Sequence, residues 1–269
     1  MRKLANRNRL TTALAVVGAF VAFFVVMSAL NRPIVSEVQF GPSFDIIQRM
    51  FWPELGLASL AVGLVALFGW LRDVRLTSPV AARSARILIL PGLMMLALVA
   101  VGEVTTLTTG ISPTSEQVMT VARTMLLVGV FEEVVFRGIL LHGLESRIGT
   151  LRAAFASSLL FGLMHYTNWL SGQHGLLTHL QVLHASSIGL LMAAIVVRTN
   201  SLWPAIILHA VWNTLLTLTA LRVGPVQPAL PSANEFAPLV GLIVFELAIA
   251  LSILAFWARR QRQLARTLI

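Results

Sequence analysis

Polar side chains suited to acid–base chemistry lie inside three long apolar stretches of this sequence. They are Glu132, Glu133, Arg137, His165, His209 and Asn213. A charged side chain at the centre of a bilayer costs about 2.5–3.5 kcal/mol, so such residues normally face the protein interior and mark a working site. A buried carboxylate is a credible general base for water, and an imidazole or an amide can stabilise an oxyanion. The residue types therefore predict a working site within a membrane, at which acid–base chemistry on water is possible.

The spacing of the acidic residues divides them into two roles. Glu133 and Arg137 are four residues apart, so they share one helix face and are placed to form a salt bridge. Glu132 points about 100° away from Glu133 at 3.6 residues per turn. We therefore predict that Glu133 and Arg137 form a structural pair and that Glu132 is left free for chemistry.

The other polar residues follow the same spacing on two further helices. Phe161 and His165 form one i,i+4 pair, with Phe161 packed beside the imidazole, and His209 and Asn213 form another. At about 1.5 Å of rise per residue, Glu132, His165 and Asn213 lie roughly 15, 18 and 16 Å from the cytoplasmic ends of their helices. His209 lies one turn shallower, at roughly 10 Å. Three helices are thus predicted to bring these groups to a similar depth.

The composition indicates the elements that must position these residues. Of the 269 residues, 57% are hydrophobic and only 12% are charged, against roughly 25% charged in a typical soluble domain. We predict an all-α, polytopic membrane bundle of about eight helices, with the active site between helices 4, 5 and 7. The predicted spans cover about 10–30, 53–71, 87–101, 125–141, 153–170 and 182–197, a seventh beginning near 203, and 239–257.

The distribution of charge predicts the orientation of the bundle. Basic residues cluster at both termini and in the loops 72–86, 142–152 and 198, which fall on one side under this span count. The positive-inside rule makes that side cytoplasmic, so both termini are expected in the cytoplasm of a plasma (inner) membrane protein. The net charge of +9 is explained by these basic residues beside the membrane spans, so nucleic-acid binding is not predicted from it. The first apolar run, Leu10 to Leu30, is longer than a signal-peptide core and predicts an uncleaved helix.

The sequence also predicts two loops between the spans and one kink within a span. A polar loop is expected over 31–52, with an interfacial piece near 44–50. Pro91-Gly92 is expected to kink the third span. A Thr-rich loop is expected over 102–117.

Several polar residues are expected to lie outside the chemistry. The four histidines at loop or span edges are predicted to be solvated: His142, His174, His179 and His184. Glu246, alone in the last span, is expected to make a structural hydrogen bond, with a substrate or lipid contact as the alternative. The absence of cysteine excludes disulfides, thiolate metal sites and a cysteine nucleophile.

Three motifs in order resemble the CPBP family of intramembrane proteases, which contains the type II CAAX prenyl endopeptidases and the Abi proteins. They are Glu132-Glu133-x-x-x-Arg137, Phe161-x-x-x-His165 and His209-x-x-x-Asn213, and the stretch 198–205 resembles the family's lead-in to the third motif. The resemblance covers about 125–218. It implies that Glu132 activates the attacking water with help from His165, and that His209 and Asn213 stabilise the oxyanion.

The resemblance leaves the metal open, since the family has been described both as zinc-dependent and as metal-free. Glu132, His165 and His209 make an acceptable zinc set, but the HExxH pattern is absent. We favour a centre without a cofactor, with Zn²⁺ as the alternative.

The sequence thus predicts an intramembrane endopeptidase that cuts a membrane-associated protein or peptide. Its predicted parts are N-terminal helices over 1–117, a catalytic core over 118–220 and a C-terminal helix with a basic tail over 221–269. A proteolytically silent immunity or scaffolding protein is the main alternative, although none of the motif residues is lost. A proton-relay transporter is a weaker one, because no internal repeat is visible.

Overall fold

The computed structural model describes residues 2–30, 43–80, 82–223 and 233–267, and its regular secondary structure within these ranges is helical. The helices are α1 (Arg2–Arg7), α2 (Arg9–Leu30), α3 (Phe44–Phe68), α4 (Ile89–Thr109), α5 (Ser115–Glu133), α6 (Leu141–Ile148), α7 (Thr150–Met164), α8 (Thr167–Leu170), α9 (Gly175–Thr199), α10 (Trp203–Val223) and α11 (Ala233–Thr267). A 3₁₀ segment, Ala82–Leu88, leads into α4, and a π-helical segment, Val134–Leu140, joins α5 to α6. The predicted all-helical membrane bundle is confirmed.

Six helical stretches in the described ranges are long and apolar enough to cross a membrane, where about eight spans were expected. They are Arg9–Leu30, Phe44–Phe68, Ser84–Thr109, Gly175–Thr199, Trp203–Val223 and Phe236–Thr267. The predicted fourth and fifth spans are helical but are not among the six. The fourth, α5, carries several charges and passes into the π-helical segment. The fifth, α7, has 15 residues, which is about 22 Å of helix against a hydrocarbon core of about 30 Å.

The helices that carry the predicted site residues lie at the centre of the bundle. Helix α7 packs on α9, and α9 also packs on α11. Helix α5 packs between α3 and α10, and α10 packs on α4. The second half of α9, from Ser187 to Val197, is buried at every position. The helices around the predicted site residues therefore pack closely on one another.

Close backbone approach fixes α5 against α10. A Cβ at Gly129 would lie 3.0 Å from the carbonyl oxygen of Ile206 and 3.3 Å from the amide nitrogen of Ala210. Small residues allow this kind of contact between membrane helices. Gly129 precedes Glu132 by less than one turn, so the contact also sets the position of the acidic residues.

The N-terminal part of α3 corrects the predicted loop. Residues 44–52 are helical, and Pro53 lies within the helix rather than at its start. The Ser43 side chain accepts a hydrogen bond from the amide of Ile46, and Asp45 stands in the first turn, where a negative charge is favourable. Residues 31–42 of that predicted loop lie outside the described part of the chain.

Pro91, where a kink was expected, lies within α4 and does not interrupt it. Pro91 is the third residue of α4, a position whose backbone N–H would lack an intrahelical partner in any case. The change in helix type occurs earlier, where the 3₁₀ segment meets Ile89.

The expected Thr-rich loop is shorter than predicted, because 102–109 belong to α4 and Ser115 begins α5. Four threonine hydroxyls in α4 donate to backbone carbonyls one turn back: Thr105, Thr106, Thr108 and Thr109. These local bonds satisfy the polar groups within the helix.

Candidate active site

A single cavity of about 280 Å³ brings together all the residues singled out by the three motifs. Those lining it are Glu132, Glu133, Arg137, Phe161, His165, His209 and Asn213. They come from α5, the π-helical segment, the end of α7, and α10. Side chains separated by up to 81 positions in sequence therefore share one chamber inside the bundle.

The predicted pair between Glu133 and Arg137 is present and fully buried. Arg137 Nη1 lies 3.0 Å from Glu133 Oε1, and both side chains are 0% exposed. The Arg137 guanidinium also stands 4.2 Å over the ring of Phe161. Removing one partner of such a pair strands a charge and typically costs about 3–5 kcal/mol. The pair therefore constrains the wall of the cavity.

The backbone beneath Arg137 was not anticipated from the sequence. Val134–Leu140 forms a π-helix in which every residue is buried. The amide of Leu141 bonds to the carbonyl of Phe136, five residues back rather than four. Such widened turns are rare and are often found at functional sites. Here the segment begins directly after Glu133 and carries Arg137 into the cavity wall.

His209 connects the two glutamates. Its Nδ1 lies 2.7 Å from Glu133 Oε1, and its Nε2 lies 3.3 Å from Glu132 Oε2. When both ring nitrogens carry a proton, each donates to a carboxylate. Glu133 Oε1 therefore serves Arg137 and His209 together and fixes the orientation of the imidazole.

The two carboxylates differ in access. The Glu132 side chain is 14% exposed and that of Glu133 is 0% exposed. Glu132 lies 3.3 Å from the His209 ring, whereas Glu133 lies closer to its partners, at 3.0 Å from Arg137 and 2.7 Å from His209. Glu132 is therefore the more accessible of the two carboxylates, and the division into a catalytic Glu132 and a structural Glu133 stays a prediction.

His165 stands at the end of α7 rather than in the middle of a span. Helix α7 ends at Met164, so the predicted continuation to residue 170 is wrong. His165 Nδ1 lies 3.0 Å from the carbonyl oxygen of Phe161. Because a carbonyl only accepts, Nδ1 carries the proton, and Nε2 of the neutral ring keeps a lone pair. The bond therefore selects the tautomer in which Nε2 is available to a water or a substrate.

Phe161 packs beside His165, as expected, and also contacts the other motif residues. Its ring centroid is 5.0 Å from that of His165 and 5.9 Å from that of His209, both edge-on. Because Arg137 also lies over its face, Phe161 contacts the side chains of Arg137, His165 and His209 and restricts their positions relative to one another. Asn213 lines the same cavity, and within the described ranges its side-chain amide makes no hydrogen bond.

Helix α9 also lines the cavity, which was not predicted from the sequence. Its residues are Gln181, His184, Ala185, Ile188, Gly189 and Met192. His184 was expected to be solvated, which is wrong, because its Nε2 bonds to Glu246 Oε1 at 3.1 Å. That bond confirms the structural hydrogen bond predicted for Glu246. Positions 181, 184, 185 and 188 follow helical periodicity, which is the one signal in the sequence for a shared face.

Solvation was also predicted for the other three histidines, and the structure confirms it for two of them. His174 and His179 are exposed at the start of α9, as predicted. His142 is buried, so its predicted solvation is wrong. Burial, followed by the neighbouring Arg9 guanidinium, lowers the pKa of His142 below its ordinary value. The neutral ring accordingly accepts from Arg9 Nη1 at 3.2 Å.

The donors do not form a complete zinc site in this arrangement. Glu132 and His209 supply two neighbouring donor atoms, but a third ligand is needed. Among the residues that the structure describes, no group of three or more His, Asp or Glu side chains is arranged to hold a metal ion.

The site lies within a segment that matches a known protease family. Residues 114–215 match the family described as type II CAAX prenyl endopeptidase Rce1-like. The matched segment contains every motif residue, so the resemblance to the CPBP family is confirmed and the segment carries a domain of a protease family. No curated protein and no solved structure matches the chain.

Proposed function

We propose that this chain is an intramembrane endopeptidase that hydrolyses peptide bonds with a water activated by Glu132. The observation that carries the proposal is the chamber itself. An accessible carboxylate, a neutral imidazole nitrogen and a side-chain amide line it beside a fully buried Glu133–Arg137 pair. The protease-family match over the same residues supports the proposal.

In the first step, Glu132 and His165 Nε2 hold the water. Glu132 accepts a proton from that water as its oxygen attacks the carbonyl carbon of the peptide bond. The electron pair of the C=O double bond moves to oxygen and forms an oxyanion. Asn213 Nδ2–H and His209 Nε2–H donate to that oxyanion. The long contact between His209 and Glu132, 3.3 Å, is readily exchanged for a shorter one to the oxyanion.

In the second step, protonated Glu132 gives its proton to the nitrogen of the leaving group. The C–N bond then breaks, the oxyanion returns its electron pair to carbon, and the products are a carboxylic acid and an amine. Glu133 does not exchange protons in this scheme. It holds the imidazole of His209 and the guanidinium of Arg137 in place.

The proposed mechanism uses no metal. Glu132 and His165 together perform the activation that a zinc ion would otherwise supply, and no step is routed through a metal. Activity is accordingly expected to survive phenanthroline, and purified protein should contain far less than one zinc per chain. Zinc that is stoichiometric, lost together with activity and restored with it would contradict this part of the proposal alone.

The proposed substrate is a membrane-associated protein or peptide. The helices around the site are long and apolar, so the chamber is reached from within or beside a bilayer. We place the site in the cytoplasmic half of a plasma (inner) membrane, with both termini in the cytoplasm, from the distribution of arginines.

The direct test compares membrane and secreted peptides from cells that express the wild type or Glu132→Ala. Peptides with new termini should appear with the wild type and be lost with the variant. Glu116→Ala is the matched control, because Glu116 is an exposed carboxylate in the first turn of the same helix. Identical peptide profiles for wild type and Glu132→Ala would favour the proteolytically silent alternative.

A further inference from the structure

A buried carboxylate outside the matched segment bonds to a residue of the cavity wall. Glu246 lies on α11, its side chain is 0% exposed, and both of its oxygens are engaged. Oε1 lies 3.1 Å from His184 Nε2, and Oε2 accepts from the hydroxyl of Ser187. Helix α11 thus fixes one imidazole on α9 through a group that belongs to none of the three motifs.

His184 is placed at the cavity rather than in the packed interior. It lines the chamber, its side chain is 17% exposed, and its ring lies against Trp212 with centroids 5.5 Å apart. Since Glu246 accepts from Nε2–H, the ring has a lone pair on Nδ1 when it is neutral. No hydrogen bond uses Nδ1 among the residues described here. A fixed, unused acceptor therefore stands beside the catalytic groups.

The side chains around His184 offer both polar and apolar contacts to a bound peptide. Gln181 lies one turn earlier, and its Oε1 accepts from Asn168 at 3.0 Å, which leaves its NH₂ group to donate. Ala185, directly after His184, and Ile188, one turn after it, add apolar side chains to the same cavity lining. A peptide main chain presents alternating N–H and C=O groups beside apolar side chains, which this lining complements.

We propose that His184 binds the substrate by accepting a hydrogen bond from a peptide N–H through Nδ1, and that Glu246 positions His184. This inference rests on the proposed function, because it assigns a substrate contact to the same chamber. Helix α9 then forms the binding wall, and the motif helices supply the chemistry.

The test measures peptide binding and cleavage separately. The probe is a synthetic library of fluorescent decapeptides with apolar central residues, presented to the full chain in detergent. Peptide binding is measured in proteins that carry Glu132→Gln, so that the bound peptide is not cleaved. Peptide cleavage is measured in proteins that retain Glu132. The tightest-binding peptide is used for both dissociation constants and kinetics.

His184→Gln is the main variant, because the Gln amide retains an N–H donor for Glu246, while its only acceptor, Oε1, does not take the position of Nδ1. It should weaken peptide binding and raise KM about tenfold, as expected for one lost hydrogen bond, with kcat nearly unchanged. Glu246→Ala should raise KM similarly, and adding it to His184→Gln should raise KM little further, since both act through one contact. A purely structural role would lower folded yield without changing KM. The matched control is His179→Gln, an exposed histidine on the same helix.

The outcomes separate this inference from the proposed function. Cleavage by the wild type with KM unchanged in His184→Gln would overturn the inference and leave the protease standing. Binding that is weakened by His184→Gln, without any cleavage by the wild type, would support the peptide contact and overturn the endopeptidase. An absence of both binding and cleavage would overturn both.

Discussion

At the scale of single residues, two adjacent glutamates occupy different environments. Glu133 is buried between Arg137 and His209, whereas Glu132 is partly exposed in the chamber and lies 3.3 Å from His209. A glutamine at position 133 would leave Arg137 without its charged partner, and one at position 132 would leave the buried network intact. The two substitutions should therefore affect different properties.

We predict that Glu133→Gln lowers the free energy of unfolding by about 3–5 kcal/mol, the usual effect of breaking a buried pair. Glu132→Gln should unfold at nearly the wild-type temperature but lose turnover. Thermal unfolding in detergent and peptide cleavage, measured on the same preparations, check both. If both variants unfold like the wild type and only Glu133 is needed for turnover, the two roles are reversed.

At the scale of elements, the site depends on how closely α9 approaches the motif helices. A Cβ at Gly189 would lie 2.7 Å from Arg137 Nη2 and 3.1 Å from Cδ1 of Phe161. Both of those side chains are buried, so neither has free space to move into. Gly189 is therefore required by close contact rather than by an unusual backbone angle.

Gly189→Ala should displace Arg137 and the ring of Phe161 that orients the two histidines. We expect a loss of about 1–3 kcal/mol of stability from overpacking and at least tenfold lower cleavage. Gly92→Ala on α4 is the matched control, because a Cβ there meets nothing within 4 Å. Unfolding temperature and kcat measured for both variants give the comparison. Wild-type behaviour of Gly189→Ala would show that the chamber wall is more adaptable than its contacts indicate.

The motif residues could be predicted from the sequence because helical spacing fixes which side chains share a face. The Glu133–Arg137 pair and the contact between Phe161 and His165 follow directly from i,i+4 geometry. The π-helical segment could not be predicted, since no residue type in 134–140 specifies a five-residue hydrogen-bond step. The contact between His184 and Glu246 spans 62 positions, and only the packing of α9 against α11 brings them together.

At the scale of the whole molecule, polar contacts gather the basic segments at one end of the bundle. Arg75 binds both carboxylate oxygens of Glu145, at 2.9 and 3.0 Å. Other contacts at this end join Arg9 to Asp73 at 3.2 Å and Arg198 to Ser84 at 3.0 Å. These bonds connect the N-terminus, the segment after α3, α6 and the end of α9. Most of the segments whose arginines predicted the cytoplasmic side, other than the C-terminal tail, are therefore neighbours in space.

The orientation of this end is best tested by single cysteines, because the chain contains none of its own. Thr77→Cys and Thr267→Cys replace exposed residues at the arginine-rich end and in the last turn of α11, and Ser112→Cys replaces an exposed residue between α4 and α5. Ser84, at the arginine-rich end, lies in the 3₁₀ segment before α4, and Ser112 follows the end of α4. Because α4 has 21 residues, Ser112 lies roughly 30 Å from the arginine-rich end along the helix axis. In intact spheroplasts of a bacterial host, a membrane-impermeant maleimide should label Ser112→Cys, and should label the other two only after permeabilisation. Labelling of Thr77→Cys in intact spheroplasts, with Ser112→Cys protected, would invert the bundle and place the arginine-rich end outside the cytoplasm.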